Sequence, residues 1–277
     1  IASIADEKTN KAYFFVAGLK MEELLDTIDI GNVVPGPKEL IDSIVEVDTG
    51  TGAINTQTSP VVVDRWGYIA SKADVFGDYS NSHLFGTGGG SYLAVADTRK
   101  YRVGMTVKPF SENGDSSWAS VDGFELPAEE PRVIKITSNP DFSGTLYLDS
   151  VVSLIETGQV NWVFEAPRVL SFDNSRKITG INIIDDLLFW TDGVTEPKKI
   201  NITKCKDGTD PSGLIHTKLK LSDPYDQDDL VSYSSGNPYE PLTTDGTALE
   251  YQTHPEITND LKEEHIVVKH KAPTMAP

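Results

Sequence analysis

The chain carries one cysteine, Cys205, in 277 residues. A disulfide framework within it is therefore excluded, and stability must come from packing or from assembly. Long apolar runs are missing as well. No stretch reaches the roughly 18 apolar residues of a membrane-spanning helix, so membrane insertion is not expected. No leader of basic, then apolar, then small residues is present, so no signal peptide is read. The chain does not begin with Met and opens inside a strand-like run. It therefore reads as a piece of something longer.

Basic residues are few: 24 Lys and Arg stand against 42 Asp and Glu, a net charge of −18. A surface this acidic repels phosphate backbones, so sequence-specific nucleic-acid binding is not expected. Helical periodicity is scarce, and Met21–Ile30 is the best candidate, though short. Catalytic and cofactor motifs are also lacking. Gly86–Gly90 has neither the Lys-Ser/Thr of a phosphate loop nor dinucleotide-binding spacing, and reads as a hinge. The acidic run at Asp223, Asp226, Asp228 and Asp229 puts Asp228 and Tyr233 where a calcium loop needs Gly and Glu, so it reads as a solvated loop. His83, His216, His254, His265 and His270 show no metal-ligand spacing. There is no Gly-x-Ser-x-Gly elbow. Glu129-Glu130 and Asp185-Asp186 are adjacent, so in a strand each pair would point to opposite faces. Lys204 and Lys206 flank Cys205, yet the thiol reads as incidental. Asn201-Ile202-Thr203 is a formal glycosylation sequon and reads as chance. No cofactor, metal or catalytic residue is nominated, and an enzyme is not expected.

What the chain does have is β-strand patterning punctuated by 22 Gly and 16 Pro. Its densest stretch is 178–202, ITGINIIDDLLFWTDGVTEPKKINI. Short β-rich runs are broken there by Asp185-Asp186, by Asp192-Gly193 and by Pro197, which predicts an antiparallel meander. The same plan occurs at the start of the chain. Asn10 to Gly18 aligns without gaps on Asp185 to Gly193, Ile1–Ile4 resembles Ile178–Ile181, and Ser43–Asp48 parallels Lys199–Ile202. Internal self-similarity of this kind, with an inner strand, an aromatic strand ending in Gly and an outer strand, is the plan of a β-propeller blade. The blade core is expected at Tyr13, Phe14, Phe189 and Trp190.

Between the two copies the character changes. Further strands are predicted at Val61–Val63, Tyr92–Asp97, Val103–Val107, Arg132–Ile136, Gly144–Asp149, Asn161–Phe164, Arg168–Phe172, Leu214–Leu221 and His265–Lys269. The expected fold is all-β. Incomplete propeller-like blades are formed by 1–85 and 156–270, a small β-barrel or sandwich is inserted at 86–155, and 271–277 is a linker. Insertions are tolerated where loop ends already lie close together. Long polar loops leave Trp66, Trp118 and Tyr225 as candidate interface or binding residues.

The stretch 178–202, with Ile215-His216-Thr217 and Glu264-His265-Ile266-Val267-Val268, resembles a segment of large structural proteins of tailed phages. These are tail-hub, nozzle or stabilisation-type virion proteins of crAss-like phages and related marine podoviruses. The Leu188-Phe189-Trp190-Thr191-Asp192 core is also similar to the YWTD blade of cell-surface receptors. Leu188 and Phe189 depart from the Tyr of that motif, however, and a single cysteine argues against a receptor ectodomain. The resemblance implies a propeller-containing virion protein of the phage tail. It would act in a ring with copies of itself and with other tail or portal-proximal proteins, around a channel that passes DNA. It carries over no catalytic residue. The alternative is a carbohydrate- or receptor-binding module of a fibre or cell surface.

Overall fold

A computed structural model describes residues 1–18, 38–48, 58–70, 74–76, 91–110, 130–150, 161–220 and 258–268. The strands are β1 (Ala2–Asp6), β2 (Lys11–Val16), β3 (Lys38–Asp48), β4 (Thr58–Ala70), β5 (Val75–Phe76), β6 (Ser91–Val95), β7 (Thr106–Phe110), β8 (Val133–Ser138), β9 (Gly144–Leu148), β10 (Asn161–Glu165), β11 (Gly180–Ile184), β12 (Leu187–Thr191) and β13 (Lys198–Asn201). Helix α1 (Ile202–Asp207), β14 (Lys218–Lys220), β15 (Thr258–Asp260) and helix α2 (Glu263–Ile266) follow. The protein is thus mostly β, and every strand pairing is antiparallel. Among the described residues four sheets form, ordered β1-β2-β3-β4-β10-β7, β11-β12-β13, β14-β15 and β5-β6-β9-β8. Among the described residues these sheets close into neither a barrel nor a propeller.

The two copies seen in the sequence are both three-stranded meanders, β1-β2-β3 and β11-β12-β13. Asn10 and Asp185, aligned in sequence, both lie in the turn before their second strand in the left-handed region, at φ 55° and 53°. Asn and Asp are the side chains that tolerate this conformation best after Gly. In β2, Tyr13 and Phe15 are buried while Phe14 and Val16 are exposed, and in β12 Leu188 and Trp190 are the buried pair. The first strands align less simply. Ile4 pairs with Tyr13 and Ile183 with Leu188, so Ile4 stands where Ile183 stands, two positions beyond the sequence match to Ile181. The reason is the turn: residues 7–10 separate the first pair of strands, whereas Asp185-Asp186 alone separates the second.

The buried faces of the two meanders pack together. Tyr13, Phe15 and Ile44 share one core with Leu188, Trp190 and Ile200. The Phe15 and Trp190 rings meet edge to face at 5.6 Å, and Phe172 lies 5.6 Å from Phe15. The aromatic residues of the sequence motif therefore split by parity, as strand geometry requires. Tyr13 and Trp190 lie in the core. Phe14 and Phe189, expected with them, lie on the outer faces, Phe14 exposed and Phe189 half-buried.

The expected division into blade, insert and blade meets a sheet and a core that draw on all three segments. Strand β7, inside 86–155, pairs with β10, which pairs in turn with β4. A second core joins Tyr68 and Ala70 of β4, Leu93, Val107 and Leu146 of the middle segment, and Trp162 and Phe164 of β10. Strand β4 links the two cores, and all of its residues from Val61 to Ala70 are buried. The apolar run Val61-Val62-Val63 suits a strand covered on both faces.

Several local expectations change. Val103 and Gly104 form a turn before β7, with Gly104 at φ +92° and its N–H donated to Val133 O. Arg168–Phe172 is an irregular loop whose amides are taken by carboxylates, as described below. Of the predicted strand Leu214–Leu221, described here to Lys220, Lys218–Lys220 is strand. At 263–266 the chain is helical, because the His265 ring folds back to accept the Lys262 amide N–H, and Val267 makes only an isolated bridge to Lys198. Met21–Ile30, Gly86–Gly90, Trp118, Asp223–Asp229, Tyr225 and the 271–277 linker lie outside the described residues.

Truncating the central contact tests this packing. Phe15→Ala and Trp190→Ala should each cost about 3–5 kcal/mol in urea unfolding. The double variant should lose less than the two singles added together, because the rings touch. Phe14→Ala, on the exposed face, should cost about 1 kcal/mol or less.

Candidate functional site

The densest polar chemistry is buried, and it begins with two aspartates. Asp42 on β3 stands directly across from Asp64 on β4, and both are fully buried. Like charges facing each other across a ladder destabilise a sheet, and buried carboxylates need donors. The donors come from the loop 168–172. Arg168 places Nη2 2.6 Å from Asp42 Oδ1 and Nε 3.1 Å from Oδ2. The amides of Gly18 and Phe172 also donate to Asp42, at 2.8 and 3.0 Å. Asp64 Oδ2 accepts the amides of Val169 and Leu170 at 2.6 and 2.8 Å. The loop's own carbonyls are held from the other side, where Lys198 Nζ of β13 donates to Leu170 O at 2.9 Å. Burial lowers the Lys198 pKa from its ordinary value.

The remaining oxygen, Asp64 Oδ1, accepts no hydrogen bond among the described residues. Arg102 Nη1 and His216 Nδ1 lie 3.8 and 3.7 Å from it. Arg102 also donates through Nη2 to Pro167 O at 2.6 Å. His216 Nδ1 accepts the Arg65 amide at 3.1 Å, which leaves Nε2–H to donate to Leu261 O at 2.9 Å. Both ring nitrogens of a neutral imidazole are thereby engaged. Burial and then the Arg102 guanidinium push the His216 pKa down to about 3. Burial pushes the Asp64 pKa up to about 6, against its two amide donors and Arg102. Residues 216–217 thus run beside β4 without joining the sheet, because side chains supply part of the ladder: Val63 N–H donates to Thr217 Oγ1 at 2.8 Å, and Thr217 N–H to Val63 O at 2.9 Å.

A second polar centre lies at the far end of the meander. Glu46, on the core face of β3, accepts from Tyr13 OH at 3.1 Å and from Lys206 Nζ of α1 at 2.7 Å, with Lys11 Nζ at 3.2 Å. Burial works against its charge, but the two ammonium groups outweigh burial and hold its pKa below the usual carboxylate value.

An Asp, a His and an Arg in contact suggest acid–base chemistry, but that chemistry needs a path to substrate. Asp64 and His216 are buried and bound to backbone. Beside the cluster, a shallow dent lined by Leu170, Phe172, Arg176, Trp190, Asp192 and Lys198 has room for about one water. What the arrangement holds, among the described residues, is the chain itself: it fixes the 168–172 loop between β3, β4 and β13.

The residues singled out in the sequence fall elsewhere. Trp66, expected in an exposed loop, is a buried residue of β4, and the Arg168 guanidinium sits 4.4 Å from its ring. Cys205 is buried in α1, where burial pushes its thiol up to about 12. Asn201 caps α1 by accepting the Lys204 amide at 2.8 Å. Among the described residues no cluster of His, Cys, Asp and Glu has the make-up of a metal site. The cluster residues Asp42, Asp64, Arg65, Arg102, Arg168 and Lys198 were not nominated by sequence reasoning. Their signal was a charge set inside an apolar strand run, as in Leu40-Ile41-Asp42-Ser43-Ile44. Compared with known proteins, the chain matches no family model, no curated protein and no solved structure.

The two shifted groups predict opposite pH slopes. His216 has a depressed pKa, so its contribution is present above about 6.5 and is lost as pH falls toward 3. Asp64 has a raised pKa, so its contribution is present below about 4 and is lost as pH rises through 6. From pH 7 to 4 the His216 effect is about 3 kcal/mol against the fold and that of Asp64 about 2 kcal/mol in favour. Relative to the parent chain, His216→Gln should therefore gain about 3 kcal/mol across that range, and Asp64→Asn should lose about 2. Urea unfolding at stepped pH reads both.

Proposed function

We propose that this chain is a structural virion protein of a phage tail, of the nozzle, hub or stabilising kind, acting through protein–protein assembly and not through catalysis. In this reading the two meanders are incomplete propeller-like blades, set in a ring with copies of the chain and with neighbouring tail proteins.

The observation that carries the reading is the inward commitment of the charged groups. Asp42, Asp64, Arg102, Arg168, Lys198 and His216 meet one another and the chain's own backbone. A site built for turnover keeps such groups within reach of a bound substrate. Groups closed on the backbone instead fix the geometry of a part. The net charge of −18 supports the same reading, since an acidic wall lets DNA pass without holding it. The resemblance of 178–202 to tail proteins is what suggests a phage tail as that assembly.

Mass spectrometry of purified virions, paired with sedimentation of the isolated chain, tests the proposal. The expected result is the protein in the tail fraction at a defined copy number, and a concentration-dependent oligomer in solution. A compact monomer at every concentration, absent from virions, overturns it.

A further inference from the structure

Among the described residues, the outer faces of the two meanders contribute no side chain to either core. On the first, period-two alternation turns Ser3 and Ala5 of β1, Ala12, Phe14 and Val16 of β2, and Ser43, Val45 and Val47 of β3 away from the buried side. The register brings them into one patch: Ser3 pairs with Phe14, and Phe14 with Val45. None of these residues is charged, although 66 of the 277 residues are Lys, Arg, Asp or Glu (24 + 42). Ser3, Ala5, Phe14 and Val16 are exposed, Phe14 and Val16 by 43% and 44%. On the second meander the equivalent face holds Asn182 and Ile184, Leu187 and Phe189, and Lys199. Phe189 occupies the position of Phe14 and lies between Asn182 and Lys199.

We infer that these two faces join successive copies of the chain, the first meander of one copy lying on the second meander of the next. Two observations select this occupant. The molecule already packs these units on each other: the inner faces meet through Phe15 and Trp190 at 5.6 Å, and the outer faces repeat the arrangement with Phe14 and Phe189 one residue earlier in each strand. Two chains of charge −18 repel wherever acidic surface meets acidic surface, and a charge-free patch lets them touch without that cost. The contact joins unlike faces, so it propagates from copy to copy and closes where the rotation permits. It rests on the assembly reading for its setting, not for its geometry.

The test mixes two variants of the full chain, Phe14→Glu and Phe189→Glu, each checked by its unfolding midpoint against the parent. The parent should form a concentration-dependent oligomer in sedimentation and native mass spectrometry. Each variant alone should fall to monomer, having one damaged and one intact face. Mixed in equal amounts, they should form a heterodimer and stop there, because only one intact pair of faces remains. Phe14→Ser and Phe189→Ser, milder changes at the same positions, should weaken the oligomer at least tenfold without abolishing it. A parent that is monomeric at high concentration overturns the inference, as does an oligomer lost with Phe14→Glu but untouched by Phe189→Glu, which marks a contact of like faces. Virion content separates the two proposals. Mutual rescue with no protein in virions sinks the tail assignment and leaves the interface standing. Virion incorporation unaffected by both glutamates does the reverse.

Discussion

Two aspartates placed side by side on neighbouring strands constrain most of this molecule. Asp42 and Asp64 cannot sit opposite each other in a dry sheet unless donors arrive from outside it. Apart from the Gly18 amide, those donors come from the loop 168–172, with Arg168 126 positions beyond Asp42 and Val169 105 beyond Asp64. The loop 168–172 therefore has no freedom to become the strand its composition favours. It must curl so that the Val169, Leu170 and Phe172 amides and the Arg168 guanidinium converge on the two carboxylates. In doing so it delivers Val169, Leu170 and Phe172 to the core between the meanders.

The same loop couples the repeats. Its amides face the first meander through Asp42, and its carbonyls face the second through Lys198. Lys198 and Ile44 occupy equivalent places in their meanders, opposite Trp190 and Phe15 respectively. One copy thus has a lysine where the other has an isoleucine, and the exchange breaks the symmetry of the pair. Glu46 and Ile200 form the reciprocal exchange, with Glu46 opposite Tyr13 and Ile200 opposite Leu188. Each buried charge has its own partners, Leu170 O for Lys198 and Lys11, Lys206 and Tyr13 for Glu46. The two meanders therefore fit each other in one order only.

Much of the local structure was legible in the sequence because it depends on near neighbours. The Asp185-Asp186 break, the all-β character and the match of Asn10 with Asp185 follow from turn chemistry and strand period. Parity was legible too, but a run such as Tyr13-Phe14-Phe15 invites the reader to bury all three, and alternation buries only two. Trp66 lies inside an unbroken strand run, which points away from a loop. The polar cluster was not legible, because its pairs join residues more than a hundred positions apart, Asp42 with Arg168 and Asp64 with Val169. Side chains that take the place of backbone partners, as Thr217 and His216 do beside β4, defeat strand prediction in the same way.

A buried ionic network is a poor source of net stability, since apolar packing of equal volume often does as well. What it supplies instead is a single geometry, because a displaced partner leaves a charge uncompensated. Here the network spans the junction between two similar units that apolar contacts alone would let slide or rotate. Leucine, isoleucine and aromatic side chains tolerate small shifts, whereas a guanidinium on a carboxylate at 2.6 Å does not. For a part that repeats around an axis this distinction matters more than stability, because any angular error between units is multiplied by the number of copies before the ring must close. Under the ring assembly we propose, the cost of burying Asp42, Asp64, Arg168 and Lys198 is the cost of a fixed angle. It ties the interior chemistry of one chain to the shape of what many chains would build.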